Sequence, residues 1–197
     1  MHQMPSAIES VRLSQHPTAT SEIVGRIDAR IQWMTTERLA IRYVLEGDCA
    51  RIRIPAPRPP RRADGLWRRT CFEIFLLKPD REGYFEYNFA PSGEWALYDF
   101  TSYREAAPLV EVVAPEIFVE RREAGLEVDT AVVLPPPLEA SRPLNIGVAS
   151  VIEDNAGALS YWALRHPSGK PDFHHRDNFM LELSPARLAA GRSIVGK

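Results

Sequence analysis

The chain is predicted to be all-β, an antiparallel two-sheet sandwich, and three observations carry that prediction. Apolar and polar residues alternate with a period of two over many short segments. Glycine, asparagine and aspartate turn signals punctuate those segments at short intervals. Prolines number 17 against 11 glycines, a balance that suits stiff loops and opposes helix interiors.

The first strand is expected over residues 24–33. In the next, Leu39, Ile41, Tyr43 and Leu45 face one side while Arg38 and Arg42 face the other. Segments 50–54 and 71–77 follow. Phe85, Tyr87 and Phe89 then oppose Tyr84, Glu86 and Asn88, and Ala96, Tyr98 and Phe100 oppose Trp95, Leu97 and Asp99. A strand is expected over 116–122, and Leu126, Val128, Thr130, Val132 and Leu134 alternate against Glu127 and Asp129. Segments 144–152, 159–164 and 179–183 complete the set. The alternating segments read as half-buried antiparallel strands, and only 185–190 carries a short helical period.

Pro55-Ala56-Pro57-Arg58-Pro59-Pro60-Arg61-Arg62 and Pro135-Pro136-Pro137 are stiff loops, too short to link domains. A length of 197 residues fits one domain over 1–197, with its core over about 8–184 and peripheral tails. A net charge of -2 gives no general attraction to nucleic acid or to an anionic membrane. No run of about 18 apolar residues is present to span a bilayer. The first fifteen residues show no basic run followed by an apolar stretch, so a cytoplasmic chain is expected, with Cys49 and Cys71 reduced.

Three segments place polar and aromatic groups side by side at strand ends. Trp67 lies six residues before Glu73 in Cys71-Phe72-Glu73-Ile74-Phe75-Leu76. Either the indole offers a face to a sugar ring and the carboxylate accepts from its hydroxyls, or Trp67 plugs the sandwich end and Glu73 faces solvent. The second segment, Tyr84 to Trp95, is a hairpin turning at Pro91-Ser92-Gly93, where Tyr84, Glu86, Asn88 and Trp95 line one face. The third joins Tyr161-Trp162 to His166-Pro167 and Gly169-Lys170-Pro171-Asp172-Phe173-His174.

Asp172, His174 and His175 raise a metal site, but adjacent histidines on an extended chain point apart. A loop aspartate capping backbone amides, with His174 packed on the sheet, is the favoured reading. The arginines at 51, 53, 58, 61, 62, 68 and 69 read as a solvated loop rather than a nucleic-acid surface. Neither a nucleophile elbow nor a glycine-rich phosphate loop occurs. Glu73 and Glu86 are a carboxylate pair that a glycosidase could use if they converge.

Taken in order, these motifs resemble the DOMON-like proteins related to the family-nine carbohydrate-binding module. The likeness rests on Trp67 with Cys71-Phe72-Glu73-Ile74-Phe75-Leu76, the Tyr84 to Gly93 strand and turn, and Gly169-Lys170-Pro171-Asp172-Phe173-His174. It spans roughly residues 66–183. The resemblance implies a jelly-roll-like β-sandwich without enzymatic activity, in which two tryptophans clamp a sugar and acidic and amide groups hold its hydroxyls. Trp67 and Glu73 match one tryptophan and the acid. At the second tryptophan's place this chain has Arg165-His166 before Pro167, with Trp162 out of step.

Some relatives bind haem through an axial methionine; here Met34 and Met180 lie in strand-like segments where packing is the usual role. Relatives of the sugar module carry structural calcium, for which no acidic loop is identified. No cofactor is expected. The reading is a non-catalytic module for a carbohydrate or other small polar ligand. Its pocket would use Trp67, Glu73, Asn88, Trp95 and Trp162, with Arg104, Arg165 and Asp172 in support. A haem protein of the same fold and a carboxylate-dependent hydrolase are the alternatives.

Overall fold

Alternation becomes strand in nearly every segment that carries it. The structure, a computed structural model, describes residues 8–78, 82–108, 112–136, 138 and 142–184. Its strands are β1 (Ile8–Arg12), β2 (Ser14–Gln15), β3 (Val24–Trp33), β4 (Arg38–Gly47), β5 (Arg61–Arg62), β6 (Cys71–Leu77) and β7 (Tyr84–Phe89). There follow β8 (Glu94–Ser102), β9 (Glu105–Ala107), β10 (Glu116–Arg122), β11 (Gly125–Val133), β12 (Leu144–Glu153), β13 (Leu159–Ala163) and β14 (Leu181–Leu183). Two 3-10 turns, Leu66–Arg68 and Arg176–Asn178, interrupt them.

One sheet has the order β1-β3-β4-β11-β10, and the other runs β2-β13-β12-β6-β7-β8-β5, with β14 on β12 and β9 on β8. Every pairing between these strands is antiparallel except β5 on β8, a two-residue parallel edge. The two sheets close on one apolar core. Ile27, Ile31, Leu39, Ile41, Tyr43, Leu45, Leu126 and Val128 enter it from the first sheet. Phe72, Ile74, Leu76, Phe85, Tyr87, Phe89, Ile146 and Val148 enter from the second.

Two tyrosines tie the sheets together across this core. The Tyr43 hydroxyl donates to the Glu73 carbonyl at 2.9 Å, and the Tyr87 hydroxyl donates to the Val133 carbonyl at 2.9 Å. Each phenol is pushed up by burial and so stays a donor. The Pro91-Ser92-Gly93 turn forms as expected. Gly93 takes φ +89°, its amide donates to the Ala90 carbonyl, and Ala90 donates to Glu94.

Several expectations are corrected. Residues 50–54 form a turn anchored on Asp48, with only an isolated bridge from Ile52 to Asp154; Pro55 then has no amide to continue a ladder. The 179–183 strand begins at Leu181, because Phe179 closes the second 3-10 turn. Met34 and Met180 are exposed, one in the bend after β3 and the other between that turn and β14. The segment 185–190 lies outside the described residues. The basic loop is stapled to two acids: Arg53 and Arg69 both reach Glu153, and Arg58 and Arg61 both reach Glu94.

The largest correction concerns β6 and β7, which are buried on both faces rather than one. Chain 165–179 folds back over the outer face of the second sheet. Phe173 and Phe179 pack there with Phe75, Tyr84 and Phe100. Asn178, fully buried, donates to the Phe173 carbonyl at 3.1 Å and lies where a side chain at Gly147 would strike it.

Tyr43→Phe leaves the Glu73 carbonyl without its buried donor and is expected to cost about 1–2 kcal/mol in urea unfolding. Tyr43→Ala opens a core cavity as well and is expected to cost about 3–5 kcal/mol. Equal losses for the two variants would show that the hydroxyl contributes nothing beyond its ring.

Candidate ligand-binding site

Parity along the strands decides which side chains leave the core for the outer face of the second sheet. On β6 these are Cys71, Glu73 and Phe75; on β7, Tyr84, Glu86 and Asn88; on β8, Ala96, Tyr98 and Phe100. The ladder aligns them in rows. Ala149, Glu73, Asn88 and Ala96 form one row, and Gly147, Phe75, Glu86 and Tyr98 the next. Glu73 and Glu86 are therefore diagonal neighbours on one face, at a Cα separation of roughly 7–8 Å for such pairs. Above the two acids the returning chain and the first 3-10 turn leave space.

That space is a cavity of about 620 Å³. Its floor runs from Tyr161 on β13, across Val151 on β12, Glu73 and Glu86, to Tyr98 on β8. Trp67 and Arg68 of the first 3-10 turn border it, as do Arg104 and Ala106 of the β8–β9 hairpin and Pro171, Phe173 and His174 of the returning chain. The volume suits a small ligand of one or two rings.

Trp67 is 41% exposed and meets Tyr98 edge to face at 5.6 Å. The Tyr98 hydroxyl donates to Asp64 at 3.0 Å and accepts from the Gly65 amide, which fixes the turn that carries the indole. Arg68 lies 5.9 Å from the indole centroid.

Glu73 is 2% exposed, and its Oε1 has no hydrogen-bond partner. Burial raises its pKa well above the carboxylate range, the neighbouring Glu86 charge adds to the rise, and Arg104 opposes it. Glu86 is also buried, but Asn88 donates to its Oε1 at 2.7 Å. Burial pushes Glu86 up to about 7, restrained by that hydrogen bond and by Arg104.

A chain of hydrogen bonds holds His174 in place. Tyr84 accepts from the Arg104 amide at 3.1 Å, so its single hydroxyl proton is free to go to His174 Nδ1 at 2.7 Å. His174 Nε2 faces Glu86 Oε2 at 3.7 Å. Burial lowers the His174 pKa to about 4, so the ring stays neutral around pH 7.

Arg104 takes φ +57°, rare without glycine, and its guanidinium donates to Asp172 Oδ1 at 2.8 Å. Asp172 also accepts from the Tyr103 hydroxyl at 2.8 Å and from the His174 amide at 3.2 Å. Burial opposes ionisation of Asp172, but the bonds from Arg104 and Tyr103 outweigh it and keep the acid below its ordinary range. The expected reading of Asp172 as a loop cap, with His174 on the sheet, describes this arrangement.

Of the residues expected to form the pocket, Trp67, Glu73 and Arg104 line the cavity. Asp172 stands behind Arg104 and opens on an adjoining shallow groove. Asn88 is fully buried in the floor and acts on Glu86. Trp95 and Trp162 are corrected: both point into the inter-sheet core, because Ala96, Tyr98 and Tyr161 hold the outward parity. Trp162 donates to Ser160 Oγ at 3.1 Å there. Arg165 is exposed and outside the cavity.

Glu86 and Tyr98 were legible as outward positions of the hairpin strands, since parity places them with Asn88 and Ala96. Tyr161 shares the parity that sends Trp162 inward. Phe173 and His174 belong to a chain return that no local pattern announces.

The raised pKa of Glu86 makes a prediction about stability. A carboxyl whose folded pKa lies above its ordinary value of 4.5 stabilises the fold below that value and loses this contribution as pH rises through about 7. Glu86→Gln removes the titration. Relative to the variant, the parent protein is expected to lose roughly 3 kcal/mol between pH 4 and pH 8 in urea unfolding. A difference independent of pH would show that Glu86 titrates normally.

No protein-family model matches the sequence. No curated protein matches it either. Solved structures do resemble the fold. A protein from Bacteroides uniformis ATCC 8492 proposed to bind carbohydrate superposes with a TM-score of 0.60 at 11% identity, over 89% of this chain and 84% of that one. A family 9 carbohydrate-binding module (CBM9) from Caldicellulosiruptor kristjanssonii in complex with cellotriose superposes at 0.56 with 10% identity, over 82% and 75%. A family 9 module from the same organism in complex with glucose gives 0.53 at 10% identity, over 77% and 72%. At such identities the likeness establishes the fold: this chain is a β-sandwich of the kind those proteins share.

Proposed function

We propose that the protein is a non-catalytic binding protein for a carbohydrate, held in the cavity between Trp67 and the Glu73–Glu86 floor. The observation that carries the reading is the pairing of an exposed indole with a buried carboxyl oxygen that lacks a donor, Glu73 Oε1. The C–H face of a pyranose packs on an indole, and its hydroxyls donate to carboxyl oxygens. The shared fold adds support, because family 9 modules with bound cellotriose and glucose superpose on this chain.

Calorimetry with glucose, cellobiose and cellotriose, beside a glycan array, tests the proposal. Trp67→Ala is expected to weaken binding by about tenfold or more, in line with the loss of a stacking aromatic worth 1–2 kcal/mol. Its partial exposure means that unfolding temperature should change little. An array without any bound sugar would overturn the carbohydrate reading.

A second reading has one observation in its favour: Glu73 and Glu86 do converge in a single cavity, as a glycosidase requires. Against it, both acids are shifted toward the neutral form, whereas a retaining pair needs one held ionised as nucleophile. Nitrophenyl glycosides are expected to remain intact. Turnover abolished by Glu73→Gln would establish the hydrolase instead.

A further inference from the structure

We infer that the sugar taken by this cavity carries a protonated amino group, with the ammonium seated against Glu73 and Glu86. The inference rests on the carbohydrate reading and specifies its ligand class.

The charges facing the floor decide it. From β6 and β7 come the two acids, diagonal on one face. Among the described residues lining the cavity, the cations are Arg68 and Arg104. Arg104 is hydrogen-bonded to Asp172 at 2.8 Å, and Arg68 stands at the indole, 5.9 Å from its centroid. His174 is kept a neutral ring by its burial, with the Arg104 charge adding to the effect. Tyr98 is engaged with Asp64. Among the described residues no hydrogen bond joins either floor acid to a cation, and the donor to Glu86 is the neutral amide of Asn88.

A neutral hydroxyl supplies one donor, enough for Glu73 Oε1 alone, and brings no charge to stabilise an ionised floor acid. An ammonium supplies three donors and a full charge, and charge-assisted bonds to carboxylate are roughly twice as strong as neutral ones. The walls suit a cation too. Trp67, Tyr98, Phe100, Tyr161 and Phe173 surround the floor, and aromatic faces attract positive charge.

A ligand of this kind leaves a thermodynamic signature. In the empty site burial favours the protonated acids; a bound ammonium favours the carboxylates, so protons leave the protein on binding. A neutral sugar makes no such demand.

Calorimetry at pH 6.5 in two buffers of different ionisation enthalpy reads this directly, with glucosamine, glucose, N-acetylglucosamine and cyclohexylamine as probes. Glucosamine is expected to bind at least roughly tenfold more tightly than either neutral sugar, the change that accompanies a pKa shift of one unit, and to release protons. Glu86→Gln should remove most of that preference and the proton release, and a circular dichroism spectrum matching the parent's separates lost charge from lost fold. Glucose or N-acetylglucosamine binding as tightly as glucosamine would overturn the inference and leave the carbohydrate reading standing. Failure of glucosamine beside binding of another sugar on the array overturns the inference alone, and an array without any bound sugar overturns both. Cyclohexylamine matching glucosamine overturns the sugar assignment, since the amine alone then accounts for recognition.

Discussion

Burial of β6 and β7 on both faces is the constraint from which the site follows. One face packs into the inter-sheet core through Phe72, Ile74, Phe85 and Tyr87. The other lies beneath the returning chain and the cavity, yet it carries Glu73, Glu86 and Asn88. Carboxyl groups removed from water need partners, or they give up their charge. Asn88 answers for one oxygen of Glu86. Glu73 Oε1 is left without an answer from the protein. A fold selected only for stability would place apolar side chains at those positions, as it does one residue away at Ile74 and Tyr87.

The returning chain makes this burial possible, and electrostatics hold it in place. Asp172 gathers the Arg104 guanidinium, the Tyr103 hydroxyl and the His174 amide. Tyr84 then connects the Arg104 amide to the His174 ring. The wall beside Glu86 is thus one hydrogen-bonded unit spanning the β8–β9 hairpin and the 171–174 segment. The positive φ at Arg104 belongs to the tight hairpin turn that brings its amide and guanidinium to these two partners. Tyr43 supports the floor from beneath by holding the Glu73 carbonyl, so the strand carrying the unsatisfied acid is fixed from the core side.

Most of the fold was legible in the sequence because strand parity is a local property. The assignments of Leu39, Ile41, Tyr43 and Leu45, and of Phe85, Tyr87 and Phe89, follow from alternation and agree with the core. The site was legible in part. Trp67, Glu73 and Arg104 line the cavity, whereas Trp95 and Trp162 were grouped with them for being aromatic and near polar motifs. Their own alternation sets them inward, since Ala96 and Tyr161 occupy the outer face. Two facts lay beyond any local pattern. Strand register makes Glu73 and Glu86 diagonal neighbours, and the return of 165–179 converts an open sheet face into a walled cavity. Both depend on contacts between residues far apart in the chain.

Fold likeness at about a tenth of identical residues has a simple physical origin and a corresponding limit. A two-sheet sandwich demands alternating apolar residues of suitable volume, and many sequences meet that demand. Recognition demands particular atoms at particular places, and a backbone superposition does not transmit those. In this chain the inward tryptophans serve the general requirement; under the proposed function the indole of Trp67, the carboxyls of Glu73 and Glu86 and the clamp on Arg104 would serve the specific one. Ligand identity therefore has to be sought in the charge of the floor and the shape of the walls. There the decisive feature is a pair of buried acids whose hydrogen bonds, among the described residues, come from Asn88, beneath a ring of aromatic side chains.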